Sequence, residues 1–480
     1  MIPYIIDSFR AGISDENTRG VRGSFKNGYG LDIHKRRDSL SANYGMAGIS
    51  SSTVVTDFIR FAVTAKDGTT YAFGDAGRIY SIAGNPSDPV IQNKATDANG
   101  IIKGAAEWQT SDGLDYLFWA TNTSFARKLF PGNDAWGDQT VDYKTTLNST
   151  DWHTMKNAGG SLVIANADAL AELDYEGNFN ALAMTVRPGN LIKTLEERDD
   201  EVIMGSERRD EGEEGHIWSW IVTASNWLRK KRVPVQGVNT MIDTEVLLMQ
   251  GGTNGEVFFS DFTNTTPLNS APDGGTTNPG GVSIFEDRAF FGIFGSSATV
   301  NPGLFSYGRR MRNRPFALNR DYRLSRTVAG STVAEIGAVW TANGALFSSW
   351  RTRDDSVNEY GIDMLSSTTR STARYEGLEF TGGTPHLRKD FRSIKVYMEP
   401  LPTNTSLSAL YKVNRNTDWR YAALGAGGTT FSTANSTEAE FIVGESGKVI
   451  EVGVELNPSG SSTPEVTSII TYIGDQALEH

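Results

Sequence analysis

The feature that most constrains this chain is a supersecondary phrase that returns about every 45 residues. A short apolar strand is followed by a few small or polar residues, then by a second strand ending in an aromatic or large apolar group. Seven instances occur: TYAFGDAGRIYSI, YLFWATNTSFARKLF, LVIANADALAELDY, VIMGSERRDEGEEGHIWSWI, LLMQGGTNGEVFFSDF, FFGIFGSSATVNPGLFSYG and LFSSWRTRDDSVNEYGIDML. One apolar anchor in each first strand (Phe73, Phe118, Val163, Ile203, Leu248, Phe291, Phe347) gives steps of 45, 45, 40, 45, 43 and 56 residues. A period of ~40–50 residues with two or more strands per unit is the mark of a β-propeller. A blade of four short strands cannot bury its two faces alone, and neighbours stacked into a closed ring supply the missing contact. The expectation is an all-β chain with a propeller of about seven blades. Six or eight fit nearly as well, because closure can borrow a strand. The longest step contains RRMRNRPFALNR (309–320), which reads as an inserted basic loop.

Helical periodicity is scarce, and 50 glycines favour short elements joined by many turns. After Tyr375 the phrase stops and alternating strands follow: 391–398, 406–414, 439–444, 448–457 and 467–474. Their one-face-inward pattern predicts a C-terminal β-sandwich-like domain over 376–477, behind a propeller over 53–375. Residues 1–52 match neither part and read as an extended segment laid over the propeller or over a neighbouring subunit. Residues 478–480 have the look of an expression-tag scar.

Several chemistries are excluded or left without a marker. With no cysteine there are no disulfides, thiolate metal sites or cysteine nucleophiles, which fits synthesis in a reducing cytoplasm. The opening MIPYIIDSFR lacks the features of a signal peptide, and no run approaches the ~18 apolar residues of a membrane helix, so no membrane insertion is expected. A net charge of -12 argues against a dedicated nucleic-acid binder. The five histidines (His34, His153, His216, His386, His480) form no metal-binding spacing, and no GxSxG elbow marks a nucleophile. Asp67-Gly68 reads as a type I′ hairpin turn and 251–255 as a plain glycine turn. The acidic stretches 195–201 and 207–216 read as solvated loops, with a calcium site the weaker alternative. No catalytic residue, metal or cofactor is expected, and the chain is read as a non-enzyme.

Two basic clusters stand out in the acidic chain: Lys35, Arg36 and Arg37 beside His34, and Arg309 with Arg310. Such clusters suit pairing with an acidic patch on an identical neighbour or touching a polyanion, and each also fits a solvated loop. Trp218 and Trp220, in HIWSWIVTASNW, are candidates for stacking on a glycan, and equally suit a blade strand.

The opening FRAGISDENTRGVRGSFKNGYGLDIHKRRDSL resembles that of bacteriophage tail-tube nozzle and hub proteins, especially of short-tailed phages. Ala11-Gly12-Ile13-Ser14 stands at the family's GGIS-like phrase, Asn27-Gly28 at its turn, and Gly30-Leu31 with Lys35-Arg36 at its GLxKR-like phrase. Ala11 replaces a glycine, and Asp32-Ile33-His34 precede the basic pair. The resemblance implies a virion structural protein, made in the host cytoplasm, that forms a ring, commonly a hexamer, at the distal tail end. The ring would line the genome exit channel, let double-stranded DNA pass without specific binding, join the adjoining tail adaptor or tube proteins, and seat fibres or a needle. Ile13, Lys35, Arg36, Arg37, Arg309 and Arg310 would then serve subunit or tail-ring contacts. One alternative reading is a glycan-binding or glycan-cleaving propeller that touches the host surface. Another is a general scaffold propeller of the WD-repeat kind, which fits poorly because the repeated Gly-His and Trp-Asp dipeptides are missing.

Overall fold

The structure, a computed structural model, describes residues 2–16, 20–34, 38–49, 54–85, 88–130, 136, 139–208, 214–295, 301–309, 315–326, 333–353 and 358–474. Regular structure among the described residues is β-strand. The chain divides into two compact units. One comprises Ala47–Gly303 and Leu324–Met364, and the other comprises Met1–Met46, Leu304–Arg323 and Leu365–His480.

The first unit is a seven-bladed β-propeller. Five blades are four-stranded antiparallel meanders, whose innermost strands are Ile59–Thr64, Gly104–Gln109, Met155–Ala158, Asn190–Arg198 and Val238–Asp243. The sixth enters this unit as the hairpin Val282–Phe285 with Arg288–Ile293. The seventh runs Val333–Ala342, Ala345–Arg353, Asn358–Arg370, with Tyr44–Gly48 as its fourth strand. Closure therefore borrows a strand from the N-terminal side of the chain, and the Ile49 N–H donates to the Ile362 carbonyl (3.0 Å).

All seven sequence anchors are buried, and each lies on the second strand of its blade. The repeat therefore has the expected period, and the first strand of each phrase is the second strand of its blade. The reason is burial. Middle strands are covered on both faces and read as continuous apolar runs, as in Ser161–Asn166, where every residue is buried. Outer strands such as Thr140–Lys144 are mostly exposed and carry no such signal.

The second unit departs from the expected division of the chain. The five C-terminal strands appear as Lys389–Met398, Ser406–Val413, Glu438–Gly447, Ile450–Asn457 and Glu465–Gly474. They split between two sheets, giving the expected sandwich-like domain. The N-terminal segment is strand-forming rather than merely extended: its end, Tyr44–Gly48, completes blade seven, and the rest belongs to this second unit. Ile2–Ile6 pairs antiparallel with Glu465–Gly474, Leu40–Ala42 extends the same edge, and Asn27–Tyr29 pairs with Ala373–Glu376 in the other sheet. Pro3 is tolerated because Ile2–Ile6 is an edge strand. Tyr375, fully buried, holds the two ends together, with the Phe9 and Phe25 rings 5.4 and 5.5 Å away.

Two local readings change. Asn27-Gly28 is strand, not turn, because the sheet edge at Ala373–Glu376 takes it up; a Cβ on Gly28 would lie 2.8 Å from the Arg374 carbonyl oxygen. Residues 309–320 are not a loop throughout, since Ala317–Arg323 is a strand. Arg320 in it is buried, with Nε on the Gly28 carbonyl (3.2 Å).

Candidate functional site: the propeller channel and its seams

The ring is held by a continuous circuit of hydrogen bonds from blade to blade. Ile102 N–H donates to the Gly74 carbonyl (3.2 Å), and His153 N–H to Lys103 (2.8 Å). Thr154 Oγ1 donates to the Lys193 carbonyl (3.2 Å), and Lys193 Nζ reaches Asn239 Oδ1 (2.9 Å). Thr240 Oγ1 donates to the Pro279 carbonyl (3.0 Å), Val339 N–H to Gly280 (2.9 Å), and Ser349 Oγ to Ile59 (2.8 Å). Seven seams are thereby tied, and the last returns to the first. Glycines make the close approach possible. A Cβ on Gly104 would lie 1.7 Å from the His153 oxygen, and one on Gly337 would lie 1.9 Å from the Ile59 oxygen.

Inside the ring lies a cavity of about 420 Å³, whose lining includes Phe61, Met155, Lys156, Glu196, Met241 and Asp243. Lys156 and Glu196 form an ion pair across blades three and four (2.7 Å). Burial pushes the Glu196 carboxyl up, and the Lys156 ammonium pulls it back. The Asp243 carboxyl is also raised by burial, with Arg198 at 3.7 Å. Glu196 belongs to the stretch read as a solvated loop. It is instead on a channel strand that runs Asn190–Arg198, and only the two-residue turn Asp199-Asp200 (φ 53° and 64°) remains of that loop.

At the seam between blades seven and one several charged groups meet. Arg351 pairs with Asp75 (2.8 Å) and Glu335 (2.6 Å), and its guanidinium covers the Phe58 ring at 4.1 Å. Asp57, 2% exposed, accepts the Ala76 N–H. Burial, reinforced by a hydrogen bond shared with Asp75, pushes its carboxyl up to about 7. Arg60 lies over the Trp152 ring (3.8 Å), and burial lowers its guanidinium to about 10. These residues had no motif in the sequence; isolated charges acquire meaning only when the ring closes.

No protein-family model and no curated protein matches the chain. Among solved structures it is similar to the WD40 β-propeller domain of Doa1, at 10% identity and TM-score 0.44, covering 68% of this chain and 97% of that one. It is also similar to U3-55K, at 13% identity and TM-score 0.45, covering 67% and 100% of the two chains. YCF48 bound to D1 peptide matches at 11% identity and TM-score 0.44, over 74% and 97%. These likenesses concern the fold alone.

The structure disperses the residues singled out from sequence. Trp218 and Trp220 are buried in the core between blades three and four, with indole N–H groups donating to Ser206 Oγ (2.9 Å) and the Ala224 carbonyl (2.7 Å). They cannot stack on a glycan, because the blade packing already covers both rings. Ile13, 1% exposed, belongs to the interior of its unit and is not a contact surface. The short strand Gly12–Ile13 runs parallel to Ser24–Phe25, and Gly12 takes φ 77° with the Leu318 backbone against it. Arg309 lies over the Phe316 ring (4.6 Å). Lys35, Arg36, Arg37 and Arg310 lie outside the described residues, as do 478–480.

Of the histidines, His34, His153 and His216 are buried and His386 is exposed. His153 bridges blades two and three, its ring nitrogens 2.7 and 3.0 Å from the carbonyl oxygens of Ala165 and Asn122. Among the described residues no group of three His, Asp or Glu side chains is placed to hold a metal ion. Asp67-Gly68 does turn a hairpin, but only Gly68 has positive φ (86°), so the turn is not type I′.

Proposed function

We propose that this chain is a structural subunit of a bacteriophage tail, set with identical copies in a ring at the distal tail end. In this reading it is not an enzyme, and its ring surrounds the genome exit channel, adjoins the tail adaptor or tube proteins and seats fibres or a needle. The observation that carries the proposal concerns the N-terminal segment with the nozzle-like phrases. Its strands are built into both sheets of the C-terminal β-domain, while the propeller is inserted between them in the chain. A β-platform whose two halves flank a propeller in sequence is suited to rigid subunit packing, and the recognisable opening is then a framework element of that platform.

Size bears on where DNA would pass in this reading. The propeller cavity of about 420 Å³ has room for roughly 14 waters at ~30 Å³ each. A duplex whose major groove alone is ~12 Å wide does not enter it. In this reading the genome channel lies between copies, and the net charge of -12 would favour sliding over sticking wherever acidic residues face that lumen.

The experiment is electron microscopy of the purified chain and of tail particles, with light scattering for mass. A closed ring, or density at a tail tip, is the expected result. Replacing Lys35, Arg36 and Arg37 with Glu should abolish the ring and leave circular dichroism unchanged. Rings that survive the triple replacement refute the role given to those residues, and a chain absent from purified virions refutes the proposal.

A further inference from the structure

Outside the propeller, the β-domain contains a concavity of about 640 Å³, within the usual size of ligand pockets. It lies where the ends of Lys389–Met398, Ser406–Val413 and Glu438–Gly447 meet, and its lining includes Thr381, Arg388, Asn414, Arg415 and Lys448. Three of these five side chains are cationic, in a protein of net charge -12.

The cations are held by a built framework. Lys389 is buried, and its ammonium donates to the carbonyls of Thr384 (2.7 Å), Leu387 (3.0 Å) and Lys448 (3.4 Å). That one group pins both the 381–388 loop, which carries Arg388, and the turn that carries Lys448. Across the pocket, Asn414 and Arg415 take φ 56° and 62° in succession. Left-handed backbone is uncommon for arginine and persists only where the surroundings over-determine it. Here the Asn414 carboxamide oxygen accepts the Lys448 N–H (2.7 Å), and Arg415 Nε and Nη2 grip Glu379 Oε2 at 3.0 and 2.9 Å. Glu379 neutralises one cation, but its side chain is only 2% exposed, so it anchors Arg415 from beneath while the Arg415 side chain as a whole stays 67% exposed. Arg388 and Lys448 have no acidic partner among the described residues. The pocket therefore keeps an excess of two positive charges, with guanidinium N–H donors to spare.

We propose that this pocket binds a phosphate group. Two uncompensated cations match the charge of about −1.5 to −2 on a phosphate ester at neutral pH better than that of a single carboxylate. A guanidinium fork also suits phosphate oxygens in a bidentate contact. A free phosphate carries that charge in one group, and a nucleic-acid backbone, with one charge per diester, supplies it through two adjacent phosphates. This inference does not depend on the ring proposal.

The test is calorimetric titration of the full-length protein with inorganic phosphate at constant ionic strength, followed by titration with a short oligodeoxythymidylate. Arg388 and Lys448 are exposed, so Arg388→Ala, Lys448→Ala and the double variant should fold as the parent does, checked by circular dichroism. Saturable phosphate binding is expected, about tenfold weaker for each cation removed. Lys389→Met, which releases the loop without touching the ligand, should weaken binding while leaving Arg388 and Lys448 in place. Oligonucleotide binding much tighter than phosphate, and lost in the same double variant, identifies a backbone phosphate. Equal or weaker oligonucleotide binding identifies a free phosphate. Absence of saturable phosphate binding, or binding indifferent to the double variant, overturns the proposal.

Discussion

Gly337→Ala tests whether the ring depends on its last seam. The glycine sits on Val333–Ala342, the inner strand of blade seven, where that strand meets blade one. An added Cβ would lie 1.9 Å from the Ile59 carbonyl oxygen and 2.7 Å from Ser349 Oγ. Neither atom can give way freely. The Ser349 hydroxyl, 1% exposed, donates to that Ile59 carbonyl (2.8 Å) and accepts the Ala338 N–H (2.8 Å). Overpacking a filled interior costs about 1–3 kcal/mol. Leaving a buried backbone group without its partner adds about 1–3 kcal/mol. The expected loss is therefore about 2–6 kcal/mol, which is large against a typical domain stability of ~5–15 kcal/mol.

Urea unfolding followed by tryptophan fluorescence measures it, with Gly344→Ala as the control. Gly344 has φ 76° but nothing within 4 Å of a Cβ, so its replacement carries only the left-handed strain of ~1–2 kcal/mol. Because both alterations disturb the same hydroxyl, Gly337→Ala and Ser349→Ala together should cost less than the sum of the two. If Gly337→Ala is no worse than Gly344→Ala, or if the pair adds, the seam is not what closes the ring.

Two further outcomes follow from the same geometry. The Asp57 carboxyl, pushed up to about 7 by burial, is held neutral in the folded state at pH values where the unfolded chain is already ionised. A raised folded value contributes stability at low pH that is lost as pH rises from the ordinary carboxylate range through about 7. Asp57→Asn should flatten that part of the stability profile between pH 5 and 8 in urea titrations; parallel profiles would contradict it. Deleting residues 1–6 should uncover the edge of Glu465–Gly474 now paired with Ile2–Ile6, lowering the melting temperature and producing thioflavin-binding aggregates. A truncated chain that melts like the parent would show that this edge needs no cover.

The sequence by itself determined the strands that are covered on both faces. The anchors from Phe73 to Phe347 repeat because each middle strand of a blade needs apolar residues whatever its neighbours are. The C-terminal strands were legible for a similar reason, since alternation such as Ile394, Val396 and Met398, all buried, is a local pattern. Partnership was not legible. Ile2–Ile6 is as apolar as many strands, yet its place on Glu465–Gly474 depends on an edge some 460 residues away in the chain. Trp218 and Trp220 look alike in sequence whether a blade covers them or solvent does; packing between blades three and four decided it.

The charged sites were the least legible. Arg351 meets Asp75, Lys156 meets Glu196, and Arg388, Arg415 and Lys448 share one pocket only because separate strands bring them together. A hydrophobic residue carries its preference for burial wherever it stands. The energy of a charge instead depends on what lies within a few ångströms and on the dielectric there. Tertiary structure sets both.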